Sequence, residues 1–538
     1  MYGSKNKSVM QHSFANIPQA NIQRSTFKRD HAYKTTMESG IIYPILCDEY
    51  VPGDHFSVSL ASVARLATPI YPLMDNMVMD FHFFAIPNRL IWDNFPKFMG
   101  QQDDPGDSTD YTVPQFTGFT NTSGMLHDYM GIPLGSTQKC NSLHARAYNL
   151  VWNQWYRDEN LQPSVVVDKD DGPDYQGDYD LLPRGKRRDY FTSCLPWPQK
   201  GSDVTTPLGT TAPVIGDGNV VNFVVDTNNY NYGLHFNAGG NLDVGHDFAG
   251  ESIPKNLSSG GTVPSSGDGL GLSQQSAYSG MIADLSSATA ATINSLREAF
   301  QLQILLERDA RGGTRYQELV LSHFKVLGDD SRLQRSEYLG GGSATIQITP
   351  IAQTSESNTT EQGKLAAVGY ASQKGAGFSK AFVEHGVILG LCSIRADLTY
   401  QQGQDRMFSR QTKYDYYWPA LANLGEQEVL NREIWQDGSA NDDLVFGYQE
   451  RWSEYRYKNS LITGLMRSDA AGSLDAWHLS QDFATLPALN ADFIVESPPV
   501  SRVVAVPSEP EFIFDGFFRM RCTRPMPTYS VPGLIDHF

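Results

Sequence analysis

The sequence predicts a mainly β protein with long inserted loops and a few helices, and three observations carry that expectation. Short apolar or alternating runs bounded by Gly, Pro, Asn or Asp recur along the chain, whereas helical periodicity is confined to two stretches. The 47 glycines and 29 prolines are spread throughout, as in a scaffold with elaborated turns. With 538 residues the chain exceeds the roughly 250–300 at which one hydrophobic core stops growing, so it carries several domains or long insertions and intersubunit surface.

Residues 1–36 read as a basic amino-terminal arm without periodicity, in which Lys5, Lys7, Arg24, Lys28, Arg29 and Lys34 stand against a single acid, Asp30. Basic tails that lack a core commonly contact phosphate backbones, which makes Lys5, Lys7, Arg24, Lys28 and Arg29 the candidate nucleic-acid contacts. Residues 41–46 and 77–86 read as strands, the second apolar on both faces and ended by Pro87, with a Pro52-Gly53 turn between them. A helix is expected over 141–156, where Leu143, Ala147, Val151 and Trp155 recur at i+4 behind Asn141 as cap. A longer one is expected over 287–311, with Ile293, Leu296, Phe300 and Ile304 on one face, Glu307 and Arg311 spaced to pair, and Gly312-Gly313 as stop.

Residues 201–280 break from their surroundings, holding 15 of the 47 glycines, seven acids and one base, Lys255. Such a segment buries little, so it reads as an exposed surface insertion with weak β structure. It divides the remaining scaffold into residues 37–200 and 281–538. Beyond Gly312 the clearest strand signals are 382–399, 493–495, 503–506 and 512–521. At the end, Pro525, Pro527 and Pro532 hold the backbone extended while Tyr529, Leu534, Ile535 and Phe538 offer apolar area. Free tails are polar and poor in aromatics, so this terminus docks: either it is tucked against its own domain or, as the rest of the chain favours, these seven residues are the candidate subunit interface.

Charge and motifs exclude several functions. A net charge of −18 argues against nucleic-acid binding over the whole surface and leaves only local patches. No apolar run approaches the ~18 residues of a membrane span, so no membrane insertion is expected. The start lacks the apolar core of a signal peptide, which keeps the chain in the cytoplasm where it is made. The five cysteines are widely spaced and form no C-x-x-C pair, as expected of reduced thiols. Leu339-Gly340-Gly341-Gly342 lacks the lysine of a P-loop and reads as a flexible turn before a strand at 344–348. No H-E-x-x-H or G-x-S-x-G is present, and His385, beside Glu384, reads as a strand-end histidine. No catalytic, cofactor or metal site is therefore expected, and the chain is not read as an enzyme. The densest basic cluster, Arg184-Gly185-Lys186-Arg187-Arg188, is open to three readings: phosphate contact, a processing site, or balance for the acids at 168–180. The commonest of these is balance.

Several strings together resemble one family. They include residues 27–36 (FKRDHAYKTT), 64–76 (ARLATPIYPLMDN), 183–201 (PRGKRRDYFTSCLPWPQKG), 307–316 (ERDARGGTRY), 332–342 (RLQRSEYLGGG), 446–457 (FGYQERWSEYRY) and the terminal VPGLIDHF. The chain thereby resembles the major capsid proteins of gokushovirus-type microviruses, small bacteriophages with single-stranded DNA. The resemblance covers nearly the whole chain and is weakest over 201–280. It implies an eight-stranded antiparallel jelly roll of the viral capsid type, assembled with itself as a sixty-copy T=1 shell around circular single-stranded DNA, with the insertion in surface protrusions. It also implies a small basic DNA-packaging protein, a minor pilot protein and a host receptor as partners, and assembly in the host cytoplasm into a virion. Ser336 departs from a proline familiar at that place and puts a local turn in doubt. A secreted carbohydrate-binding jelly roll is the alternative, disfavoured by the missing signal peptide and unpaired cysteines.

Overall fold

The computed structural model describes residues 23–137, 139–205, 293–358 and 360–529, together with the backbone of six short strands between 214 and 283. Two compact units emerge, one of residues 1–200 with 307–538 and one of 201–306. In the second, Leu242–Gly245, Tyr230–Phe236, Asn222–Val225 and Leu270–Leu272 form an antiparallel sheet, and Met281–Ala283 pairs with Val214–Gly216.

The first unit is built on eight long strands: β1 (His31–Met37), β2 (Ile42–Tyr50), β3 (His55–Leu66), β4 (Met77–Pro87), β5 (Glu337–Thr345), β6 (Leu365–Ala381), β7 (Gly386–Ala396) and β8 (Phe512–Arg524). They lie in two antiparallel sheets ordered β1-β8-β3-β6 and β2-β7-β4-β5. Strand 1 beside 8, 8 beside 3, 3 beside 6, and 2-7-4-5 in the facing layer, is the winding of a jelly roll. Two shorter strands flank the first sheet, Ser25–Lys28 extending along β8 and Gln347–Ala352 along β6, so the sheets hold ten strands in all.

The core lies between the sheets. Along β8, alternate residues Phe512, Phe514, Phe518 and Met520 are buried to 1% exposure or less. Each such aromatic contributes about 1.5–3 kcal/mol by leaving water. Phe81 of β4 meets Phe514 at 6.1 Å and Phe83 meets Phe378 of β6 at 5.6 Å, ring to ring across the layers. β7 is buried on both faces, because the outer face of its sheet is covered by α1 (Leu143–Val151), whose Leu143, Ala147 and Tyr148 pack on Phe84, Leu389 and Leu391. That double burial is why 386–392 is continuously apolar. Among the described residues nothing covers the outer face of the other sheet, and β8 and β3 alternate buried with exposed residues.

Several local expectations change. The sheet begins at Ser25, inside the span read as a basic arm without periodicity, because Phe27 and Tyr33 add to the edge of β8. Gly340–Gly342 is not a turn but the middle of β5. A Cβ at Gly341 would stand 2.2 Å from the Phe81 carbonyl oxygen and one at Gly342 2.9 Å from Ala376, so glycine is required by close packing. β6 carries few β-branched residues and gave little strand signal, yet it pairs with β3 from Tyr370 to Ala381 through a bulge at Lys374/Ala376. Of residues 493–495, Phe493 and Ile494 belong to a short helix, Ala491–Ile494, capped by Asn490, and Val495 is its extended C-cap. Val503 and Val504 are apolar because they pack into the core, not because they form a strand.

The helices fall where expected, with shifted ends. Asn141 accepts the Leu143 amide at 2.7 Å and α1 continues as a π-helical turn, Trp152–Tyr156. α2 (Ile293–Arg311) leaves Ile293, Leu296, Phe300 and Ile304 exposed, and Arg311 reaches Glu426; residues 287–292 lie outside the described residues. At Ser336 the backbone N–H donates to Gln154 at 2.9 Å, and the hydroxyl meets both Gln154 and Trp155. A proline there has no such N–H.

Candidate nucleic-acid and subunit contact surfaces

The arm residues separate into different roles. Lys5 and Lys7 lie outside the described residues. Arg29 grips Asp48 of β2 with both guanidinium nitrogens, at 2.6 and 3.1 Å, and so ties the sheet edge to the facing layer. Arg24 is exposed and donates to the Gly53 carbonyl. Lys28 projects from the flanking strand, 76% exposed, 3.3 Å from Asp30 and directly opposite Arg521 of β8. The open face of this sheet holds further cations that an arm-centred reading of the sequence misses: Arg65 of β3, Lys374 of β6, and Arg519 and Arg521 of β8 are all exposed. The signal is legible, since Phe518-Arg519-Met520-Arg521-Cys522 alternates apolar with basic at the period of a strand.

At the other terminus β8 ends in an anchored residue. Arg524 donates to the fully buried Asp54 at 2.9–3.2 Å and to the Glu49 carbonyl at 3.0 Å. Pro525 then rests beside Gly53. From there the chain leaves the core: Pro527 is exposed and Tyr529 is 85% exposed, with Thr528 held to Ser25 by a 3.0 Å hydrogen bond. Pro532, Leu534, Ile535 and Phe538 lie outside the described residues.

The basic cluster at 184–188 works inside the subunit. The Arg184 guanidinium stacks on Tyr156 at 4.5 Å and Lys186 lies over Phe493 at 4.4 Å, with burial pushing both groups down from their ordinary pKa. Arg187 pairs with Asp397 at 3.0 Å and Arg188 with Asp158 at 2.7 Å. The cations are thus balanced by distant acids rather than by those at 168–180. A cleft of about 760 Å³ nearby has a similar character, its Arg188, Arg311, Arg315 and Arg456 each facing a carboxylate. His385 marks the start of β7, its carbonyl accepting the Asn88 amide and its ring edge-on to Phe95. Among the described residues no three His, Cys, Asp or Glu side chains converge as a metal site, and no helix is long and apolar enough to cross a membrane.

A jelly roll whose connections are expanded into long loops, with a sheet face uncovered among the described residues and an exposed segment after its last strand, defines the class of viral shell proteins better than that of single-domain lectins. A family model described as "Capsid protein (F protein)" matches residues 15–534, and the chain belongs to that family. It is 47% identical to capsid protein VP1 of Bdellovibrio phage phiMH2K, with 98% of both chains covered. It is 41% identical to capsid protein VP1 of Chlamydia phage 1 over 99% of both chains, and 36% identical to that of Spiroplasma virus 4 over 97% of both. The protein is therefore a structural, shell-forming component of a phage virion, and the resemblance carried by the short strings holds over its full length.

Proposed function

We propose that this chain assembles with itself into a sixty-copy, T=1 icosahedral shell enclosing a circular single-stranded DNA genome. The observation that carries the proposal is its similarity, end to end, to three phage VP1 capsid proteins. The exposed residues 526–529 that follow the last strand support the assembly mode, since an exposed proline-rich arm gains its stability from a neighbouring copy. Residues 201–280 form the outer protrusion and the host-contacting surface in this reading, supported by their glycine-rich, acidic composition. A small basic packaging protein offsets part of the genome charge that a subunit of net charge −18 leaves unneutralised. A minor pilot protein and a host receptor complete the partners, and assembly takes place in the host cytoplasm.

Electron microscopy and sedimentation of the purified protein test the proposal. The expected product is a spherical particle of about 3.6 MDa, sixty times the 59.7 kDa chain. Monomers or small oligomers under all conditions of salt and concentration sink it.

A further inference from the structure

We propose that the open face of the β1-β8-β3-β6 sheet is a surface for binding single-stranded nucleic acid. Lys28, Arg521, Arg519 and Lys374 contact phosphates there, and Phe517 presents a ring for base stacking. The side facing the genome rests on the shell reading above; the binding chemistry does not.

The register builds the surface. Across the strands, Lys28 stands opposite Arg521, which stands opposite Ser57, which stands opposite Ser379. Two residues on, Arg519 is followed by Ser59 and Gly377, and two further on, Phe517 is followed by Ala61 and Lys374. The cations therefore form a band about 5 Å per strand wide with steps of about 7 Å along β8. Serine, alanine and glycine between them leave room for a backbone to approach. Phe517 is 42% exposed within the band. Arg65 and Lys34 extend the same face towards its far end.

Charge selects the occupant. Six cations face two carboxylates: Asp515, which pairs with Lys34 at 2.8 Å, and Asp30, which pairs with Lys28 at 3.3 Å. Among the described residues, Arg65, Lys374, Arg519 and Arg521 have no ion pair. In a chain with 60 acidic and 42 basic residues this face is the exception. Like charges directly opposite in a sheet destabilise it; Lys28 and Arg521 are such a pair, offset only on the Lys28 side by Asp30, and an anion laid over both would relieve the rest. A second copy docked face to face would instead bring cation against cation. A basic groove with an exposed aromatic and small neighbours suits an unpaired strand, whose bases stack without sequence preference.

The test is a titration of full-length subunits with a fluorescein-labelled oligothymidylate of 30 nucleotides over a range of salt. For the variant Lys28→Gln/Lys374→Gln/Arg519→Gln/Arg521→Gln we expect affinity lower by on the order of tenfold or more, and a slope of log K against log salt shallower by about 3, near 0.7 for each cation removed. A control variant, Lys413→Gln/Arg456→Gln/Lys458→Gln, removes charge from the β7–β8 connection and should leave the slope unchanged. Affinity and slope equal to the wild type in the folded quadruple variant would overturn the assignment. So would a quadruple variant that binds the oligonucleotide normally but forms no particles, because the face would then be a contact between copies. If the quadruple variant does not fold, Arg519→Gln and Arg521→Gln alone must each flatten the slope by about 0.7, and unchanged slopes in both reject the proposal. Absence of wild-type particles counts against the shell reading and leaves this titration decisive.

Discussion

His127 sits between Phe116 and Phe119, with ring centroids 4.8 and 5.1 Å away, and neither of its ring nitrogens has a hydrogen-bond partner. Burial pushes this imidazole down to about 4. His82 is likewise held near 4, by burial first and then by the charge of Arg184. For such a group the unfolded chain takes up a proton near pH 6.5 while the native state does not. Its stabilising contribution is therefore complete above about pH 6.5 and is lost progressively as the pH falls towards 4. For His127 the loss is on the order of 3 kcal/mol. Denaturant unfolding at several pH values should show this decline, and His127→Phe should flatten it; an unchanged acid slope in that variant would reject the assignment. A second residue-scale case is Arg146 with Asp174, both fully buried. The Arg146 Nε donates to Asp174 at 2.7 Å and its Nη1 donates to the Ile91 and Asp170 carbonyls, while the Tyr179 hydroxyl donates to the same carboxylate at 2.9 Å. Asp174→Ala strands a buried guanidinium and should cost about 3–5 kcal/mol. Arg146→Met/Asp174→Leu should cost less than either single change, which chemical denaturation can measure. A single-variant cost below about 1 kcal/mol would show the pair to be dispensable.

At the scale of elements, β5 is the most constrained strand, because β4 and β6 both approach its glycines. Gly341→Ala in β5 would drive a methyl group onto the Phe81 carbonyl, and Gly377→Ala in the neighbouring β6 would drive one onto the Val58 carbonyl of β3, which is 2.0 Å from where its Cβ would lie. Each should cost about 1–3 kcal/mol or more, read as a lowered Tm of the subunit. Wild-type melting in both variants would mean that the strands separate more easily than their packing implies. The glycine run shows why composition alone misleads here. Three glycines usually mark a turn, and only the crossing of β6 over β5 reveals that they answer a need for space. The helices are easier to read, since Asn141 and the i+4 apolar spacing act within a few residues of one another.

For the whole molecule, folding information reaches Arg524, where the guanidinium locks onto buried Asp54; Pro527–Tyr529 lies open beyond it. Removing residues 532–538 should therefore leave the melting temperature of the subunit unchanged while preventing shell closure. Sedimentation would show subunits in place of particles, and particles in normal yield would return this terminus to the status of a tucked end. The sequence by itself determined the β class, the two helices and, through many short strings in order, the family. It also determined which side of a strand is apolar, because side chains alternate with a period of two wherever the chain is extended. Tertiary structure decided which face is covered. β7 is buried on both faces, and apolar from Gly386 to Cys392, because α1 roofs its sheet, whereas β8 keeps a basic outer face because nothing among the described residues roofs the other. It also decided that Lys28, Arg65, Lys374 and Arg519 share one surface. Local periodicity records only what each segment buries, and strand partners hundreds of residues apart are selected by burial that no local window contains.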